Sequence, residues 1–490
     1  MINSMVNTKE MRENEIEELF AEFHVSNAEE LERKYYEKLS SDKSFYIWGT
    51  GKVMQKFLKE FPFIKIAGFI DNVEHSEPII INGQKYSVFH GTQIEEIKDY
   101  IIVASSYYEE IKEQLEKNGK KEFKDFIGWY FLYPRPSELI EKYINNESVT
   151  NWKCVNAWTT VRFDRDGFYY SCQCQGWVEF PIGNAFFQTR DTIMNSIIAK
   201  LFYMSIETGN YCFCRKERCA ELSKNWNNFE SGNQLYQCMK QDKDSLAIVG
   251  VADFDDSCNL YCASCRDQII TGRDEKKEFL KDYFLNEIMP HMNVINVAGM
   301  GEVFFSKYYQ EILERCDGIE GIFILSNGML AKEEKILPIS SREGIKGNVA
   351  IAVSVDAARA ETYEKNRRGG KWSILKKNLQ MIGGLVEEGK IRCLTLNFVV
   401  SRNNYQEMAE FVQLAQSVKA SAVVFTRLYN WGTYEEEEFE KIAMFGKDGR
   451  PNKELQREIE RVKSLESDVK VFLFDPYGNR RFIYSKLGKK

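Results

Sequence analysis

The chain has no cysteine before Cys154, only 9 prolines in 490 residues, and no surplus of positive charge. The scarcity of proline excludes long Pro-rich linkers. Lys+Arg 66 against Asp+Glu 73 leaves a formal net charge of −7. Binding driven by phosphate contacts is not expected from that balance, so no nucleic-acid partner is expected. No run of about 18 apolar residues occurs, so no membrane span is expected. Residues 1–18 are polar and mixed in charge. They lack the apolar segment of a signal peptide, which points to a cytoplasmic protein. In a reducing compartment, clustered cysteines serve as metal ligands more often than as disulfides.

Hydrophobic residues make up 43% and charged residues 28%, the balance of a soluble globular protein. The length suggests roughly three domains. The 12 cysteines divide the chain into a cysteine-free front, a cysteine-rich middle and a back with two isolated thiols. The expected layout is a helical lead over 1–42, a parallel-sheet domain over 43–150, a cysteine-bearing segment over 151–245 and an α/β core over 246–490.

In the lead, the spacing predicts a helix over 14–39, with Ile16, Leu19, Phe20 and Phe23 on one face and Leu31, Tyr35 and Leu39 on another. From Phe45 strands and helices alternate. Strands are expected at 45–48, 64–70, 86–89, 101–104 and 123–129, with a helix over 108–117. That rhythm means a parallel sheet with helices on its faces. Gly49-Thr50-Gly51 after the first strand lets backbone N–H groups approach a phosphate, and Asp71 is placed to take a ribose hydroxyl. Met54 stands where a third glycine belongs, so Gly49, Gly51 and Asp71 mark either a nucleotide site or a docking module without one. Residues 43–130 resemble small Rossmann-like domains fused to enzymes of bacterial surface-polysaccharide pathways.

The strand expected over 246–252 runs through Phe254-Asp255-Asp256-Ser257 into Cys258-x3-Cys262-x2-Cys265. Three thiolates on one tight loop can each hold one iron of a [4Fe–4S] cube, leaving a fourth iron open. A zinc knuckle is the alternative, but it needs a fourth ligand nearby and no histidine stands close behind the triplet. Five further strands are expected at 294–297, 322–325, 349–353, 393–400 and 422–425. Glycine and polar residues gather at their C-terminal ends, where parallel α/β folds place their chemistry. Six such units suit a partial (β/α)6 barrel.

The cysteine triplet resembles the signature of the radical S-adenosylmethionine (SAM) superfamily. The resemblance covers roughly residues 150–475 and implies that barrel. It also implies a [4Fe–4S] cluster on Cys258, Cys262 and Cys265, and SAM held by Gly301, Glu302, Ser354, Asp356, Arg368 and Asn397. Met300 replaces the family's usual glycine, and Ser264 replaces a frequent adenine-packing aromatic. The implied activity is reductive cleavage of SAM to a 5′-deoxyadenosyl radical that abstracts hydrogen from a substrate. A reductase such as flavodoxin or ferredoxin is implied as partner.

Upstream, Asp166-Gly167 between 161–163 and 168–170 signals a hairpin. It brings a cysteine before its first strand near one after its second. With Cys212-x-Cys214-x4-Cys219 downstream, four thiolates can close around a second metal site, either iron–sulfur or zinc. Cys154, Gly167 and Cys172 meet the Cys-x(9–15)-Gly-x4-Cys pattern of SPASM/twitch auxiliary-cluster domains. That resemblance implies a second [4Fe–4S] cluster on Cys154, Cys172, Cys214 and Cys219, with Cys174 and Cys212 as alternates. Cys238, Cys316 and Cys393 are expected to be ordinary buried thiols.

A carbohydrate or nucleotide-sugar substrate is favoured by the fused Rossmann-like domain, for oxidation or epimerisation. Modification of a peptide is the second reading, and a non-catalytic metal-cluster sensor is the third. Arg427, Tyr429 and Asn430 are candidates for the substrate site by their place after the sixth strand.

Overall fold

The computed structural model describes residues 8–40, 43–146, 150–172, 174–219, 221–222, 236–237, 240, 248–272, 274–297, 299–430, 433–446 and 449–474. Its chain forms two compact units, one of residues 1–150 and 182–213, the other of residues 151–181 and 214–490.

The first unit opens with two helices, Thr8–Glu22 and Ala28–Ser40, where the spacing predicts a single helix over 14–39. The break has a local cause. Asn27 Oδ1 accepts the N–H of Glu30, and the Glu30 carboxylate accepts the N–H of Ser26. That reciprocal pair starts a new helix, and His24 turns the chain at φ 53° just before it.

Five parallel strands follow, in the spatial order Val88–His90, Ile66–Asp71, Phe45–Trp48, Tyr100–Val103 and Phe126–Gly128. Successive residues point to opposite faces. Ile47, Phe69 and Ile102 pack with Phe57 on one face, while Trp48, Ile70, Ile101 and Val103 pack with Leu115 on the other. Both faces are covered, which explains why these strands read as apolar runs without alternation. The last strand is shorter than expected, because Phe123 adopts φ 67° and leaves the extended conformation.

The second unit is built on one sheet, whose strands are numbered here separately. They are β1 (Thr160–Asp164), β2 (Phe168–Tyr170), β3 (Val249–Asp253), β4 (Val294–Val297), β5 (Gly321–Ser326), β6 (Val349–Ser354), β7 (Cys393–Val400), β8 (Ala422–Arg427) and β9 (Lys470–Leu473). Their order is β2-β1-β3-β4-β5-β6-β7-β8-β9. All neighbours are parallel except the hairpin β1/β2. The six expected core strands are all present, the first of them beginning at Val249. Lys470–Leu473 extends the sheet at one edge. At the other, β1 pairs in register with β3 from Thr160↔Val249 to Asp164↔Asp253. The hairpin, expected in a separate segment, is therefore hydrogen-bonded into the core sheet.

Alternation sorts the sheet's two faces. Val249, Val251, Val294, Phe323, Ala350, Ala352 and Cys393 form one apolar cluster. The opposite face carries Leu396, Phe398 and Phe425, and Phe398 and Phe425 meet Phe411 of the helix Met408–Ser417. Continuing the first face toward the C-terminal strand ends, the apolar residues give way to Asp253, Asn296, Ser354, Asn397 and Thr426. The C-terminal ends of the strands, where this polar rim lies above the apolar floor, are where parallel α/β folds place their working end. Among the described residues, no helix is long and apolar enough to cross a membrane.

Candidate active site

The cysteine loop leaves β3 through Phe254, which is fully buried and stacks on Phe163. Cys258 is fixed by a backbone bond from its N–H to Ile270 O at 2.9 Å. Tyr261 N donates to Arg368 O and Ala263 N to Asn366 O, both at 3.1 Å, so the loop is laced to the segment after the helix Ala360–Asn366. Cys265 N and Arg266 N both return to Cys262 O, which closes the turn between the second and third cysteines. Cys258 and Cys262 are buried and Cys265 is exposed.

Each sulfur has N–H donors. Cys258 Sγ accepts from Leu260 N at 3.4 Å and from Asn327 Nδ2 at 3.9 Å. Cys262 Sγ accepts from Arg367 Nη1 at 3.7 Å. Cys265 Sγ accepts from Arg266 Nε and Nη2, both at 3.4 Å. Burial pushes the Cys258 thiol above its ordinary pKa, against the Leu260 N–H and the Arg266 charge, which pull it down. Among the described residues, no three His, Cys, Asp or Glu side chains gather closely enough to hold a single ion. A cube gives each thiolate its own iron, so its ligands need not converge on one point. The donor set of three thiols on one loop, each met by N–H groups, fits that group.

The segment after β4 lies against this loop, and glycine is what permits it. A Cβ on Gly299 would fall 2.4 Å from Asp253 Oδ1, and one on Gly301 would fall 2.6 Å from Asp255 O and 2.8 Å from Ser257 O. Met300 is exposed and leaves this approach intact. Glu302 is buried, and its N–H donates to Ser257 O at 2.8 Å. Its carboxylate accepts from Ser326 Oγ at 2.7 Å, Asn327 N at 2.6 Å and Phe304 N at 3.2 Å. Burial raises its pKa, and those three donors oppose the rise. Glu302 therefore joins the cysteine loop to the end of β5.

Ser354 ends β6 half-buried, beside Asn397 on β7 in register. Asp356 adopts φ 60°. Its Oδ1 accepts Val399 N at 2.7 Å and its Oδ2 meets Arg367 Nη2 at 2.5 Å. Both oxygens thus have partners within the protein. Asn397 differs, for its Oδ1 is buried and unpartnered. A buried acceptor without a donor is costly, and a water or a ligand can supply the missing bond.

Arg368 is the residue that the resemblance assigns to SAM. Its side chain binds the loop backbone, with Nε to Tyr261 O at 2.9 Å and Nη2 to Arg266 O at 3.1 Å, and its guanidinium lies over the Tyr261 ring. The neighbouring Arg367, which sequence reasoning passed over, faces Cys262 and Asp356. Two adjacent arginines at a helix end offer no spacing signal that tells one from the other. Of the residues after β8, Arg427 lies between the Tyr429 and Phe445 rings, and Asn430 caps Tyr434 in both directions. Thr433 Oγ1 reaches Ser264 O at 3.4 Å.

The upstream cysteines divide. The hairpin turn is held by Asp164 Oδ1, which accepts the N–H groups of Asp166 and Phe168, with Gly167 at φ 73°. Burial pushes the Cys154 thiol well up, and the nearby Cys219 and Cys172 thiols add to it. Cys219 is pushed up to about 11, mostly by burial, with Cys174 among the neighbours that contribute. Cys154 thus has Cys172 and Cys219 for neighbours, and Cys219 has Cys174. Cys214 is held at an isolated bridge to Val178. Cys212 belongs to the first unit, where its N–H donates to Asn210 Oδ1 at 3.1 Å. Cys316 and Cys393 are buried thiols, while Cys238 lies outside the described residues.

In the first unit, Gly49 adopts φ 119°, and a Cβ there would fall 2.7 Å from Ala104 O. Gly51 begins the helix Lys52–Glu60 without a side-chain cap. Asp71 accepts the Thr50 hydroxyl and, through Oδ1, Val73 N at 3.0 Å.

A family model described as "C2185-like, N-terminal" matches residues 41–124. No protein of curated function matches the sequence. Among solved structures, the chain is similar to Streptococcus suis SuiB bound to S-adenosylmethionine, with TM-score 0.34, 15% identity and coverage of 58% of this chain and 64% of that one. It is similar to a radical SAM methyltransferase from Sphaerobacter thermophilus, with TM-score 0.31, 16% identity and coverage of 46% and 64%. Archaeal TYW1 is a third, with TM-score 0.25, 16% identity and coverage of 33% and 60%. The chain spans less than two thirds of the length of each.

Proposed function

We propose that the second unit is a partial barrel that binds a [4Fe–4S] cluster at Cys258, Cys262 and Cys265 and cleaves SAM reductively. The observation that carries this reading is the position of the Cys-x3-Cys-x2-Cys loop. It stands at the C-terminal end of β3, stitched through Glu302 to the ends of β4 and β5. When bound, the cluster and SAM supply a 5′-deoxyadenosyl radical that takes a hydrogen atom from substrate.

The chain's own residues have separate tasks in this reading. Glu302 fixes the loop and presents a buried carboxylate with one lone-pair position to spare for an amine. Gly301 lets the backbone come close, and Met300 can still offer its backbone. Asn397 offers an unfilled oxygen, and Ser354 a hydroxyl beside it. Asp356 acts through Arg367, and Arg368 through the loop backbone. The apolar floor from Val249 to Cys393 keeps water from the radical's side of the sheet. Cys154, Cys172, Cys214 and Cys219, with Cys174 and Cys212 as alternates, would hold a second cluster of the SPASM/twitch kind, which by that resemblance would accept an electron. A cytoplasmic protein served by a flavodoxin or ferredoxin belongs to the same reading.

The substrate we favour is a carbohydrate or nucleotide sugar, because the first unit's strand order changes direction beside Gly49. That is where doubly wound, Rossmann-like sheets open a crevice. A second cluster would supply the acceptor for the substrate radical's electron, giving net oxidation; a donor that returns a hydrogen atom from the other face would give epimerisation. The test is anaerobic reconstitution followed by a 5′-deoxyadenosine assay under dithionite, first with SAM alone and then across sugar and peptide candidates. Release stimulated by a nucleotide sugar supports the favoured reading, and stimulation by peptides alone moves the substrate to the second reading. An absence of release from any mixture removes the enzyme.

A further inference from the structure

We infer that Arg266 and Arg367 are positioning residues that act as paired cationic donors to the cysteine triplet and set the reduction potential of the cluster it holds. The inference rests on the reading of Cys258, Cys262 and Cys265 as a cluster site.

The two guanidiniums reach different sulfurs from different elements. Arg266 follows the triplet directly and addresses Cys265 with two N–H groups at 3.4 Å. Its remaining donors bind Asp256 O and Met300 O, so it cannot swing away without breaking four contacts. Arg367 comes from the end of the helix Ala360–Asn366 and addresses Cys262 at 3.7 Å. Asp356 holds its other arm at 2.5 Å, and its Nε is buried and unpartnered. The Arg367–Cys262 contact is largely withdrawn from water, whereas Cys265 is exposed, so screening is weakest at Cys262.

Reduction adds one negative charge to a cluster. A cationic N–H beside a ligand sulfur favours that added charge, and hydrogen bonds to the sulfurs and net charge are the protein's principal means of setting the potential. A planar guanidinium gives two parallel donors, which suits Cys265. A lysine would supply charge alone.

The test uses the full chain, reconstituted without oxygen, in redox titrations followed by electron paramagnetic resonance without SAM. A parent chain with no titrating cluster signal overturns the proposed function itself and is thereby distinguished from a failure of this inference. With a parent signal present, Arg367→Gln and Arg266→Gln should each lower the midpoint. The expected size is about tenfold less reduced cluster at a fixed potential, a displacement of about 59 mV for a one-electron couple. Arg367→Lys and Arg266→Lys should return most of that shift. Arg315→Gln, at an exposed site paired with Glu311, should keep the parent midpoint. Unshifted midpoints in both Gln variants overturn the inference. So do equal shifts in the Gln and Lys variants, which would mean lost shape and not lost charge. If Arg367→Gln does not retain iron, retention by Arg367→Lys supports the role and loss from both overturns it.

Discussion

Glu302 donates its N–H to Ser257 O at 2.8 Å, one residue before Cys258, while its carboxylate accepts Asn327 N at 2.6 Å. One residue thus sets the spacing between the cysteine loop and the next two strand ends. Its burial removes the carboxylate from water, and three donors offset that cost.

Glu302→Ala should therefore affect both the fold and the ligand. It leaves the Asn327 and Phe304 N–H groups without an acceptor, which costs about 1–3 kcal/mol for each group that stays buried and unpaired. Denaturant unfolding should show a loss of at least one such group, and calorimetry should show SAM binding weakened tenfold or more. Unchanged affinity would remove Glu302 from the ligand site while leaving its structural role.

Asn397→Ala should behave in the opposite manner. The side-chain oxygen has no partner in the protein, so its removal should leave the unfolding free energy within about 1 kcal/mol of the parent or raise it. SAM affinity should fall while the melting temperature holds. A large loss of stability with unchanged affinity would contradict the assignment.

Gly301→Ala places a Cβ 2.6 Å from Asp255 O and 2.8 Å from Ser257 O, both backbone atoms that cannot rotate aside. Overpacking of this kind costs about 1–3 kcal/mol. The cysteine loop is what must shift, so iron content after reconstitution should fall along with stability. A variant with full iron would show that the loop has room.

The cysteine loop was legible because its information is local: three thiols within eight residues and a strand before them. The strands at 45–48, 294–297 and 393–400 were legible because fully buried parallel strands are continuous apolar runs. The break at 23–27 was also local, in Ser26, Asn27 and Glu30, but the helical spacing on either side concealed it. The pairing of Thr160–Asp164 with Val249–Asp253 was not legible, since strands far apart in sequence carry no mark of which edge they join. The same holds for Arg367 and Arg368, whose roles depend on the direction of one side chain at a helix end.

The hairpin provides a pH test. Burial, with Asp166 adding, raises the Asp164 carboxyl to about 6 from an ordinary value of 3.8. The folded chain then holds a proton that the unfolded chain has released. Stability from this group is complete below about pH 4 and is lost as pH rises through about 6. Asp164→Asn should flatten the stability profile across that window. An identical slope in parent and variant would place the titration elsewhere.

The most direct measurement compares the parent with the Cys258→Ala/Cys262→Ala/Cys265→Ala variant, both reconstituted without oxygen, for iron, sulfide and 5′-deoxyadenosine released under dithionite. The parent should hold about eight irons if both clusters form, by the cube stoichiometry assumed here. The variant should lose about four of them and release no 5′-deoxyadenosine. Continued release from the variant, or a parent that binds zinc in place of iron at this loop, would contradict the account.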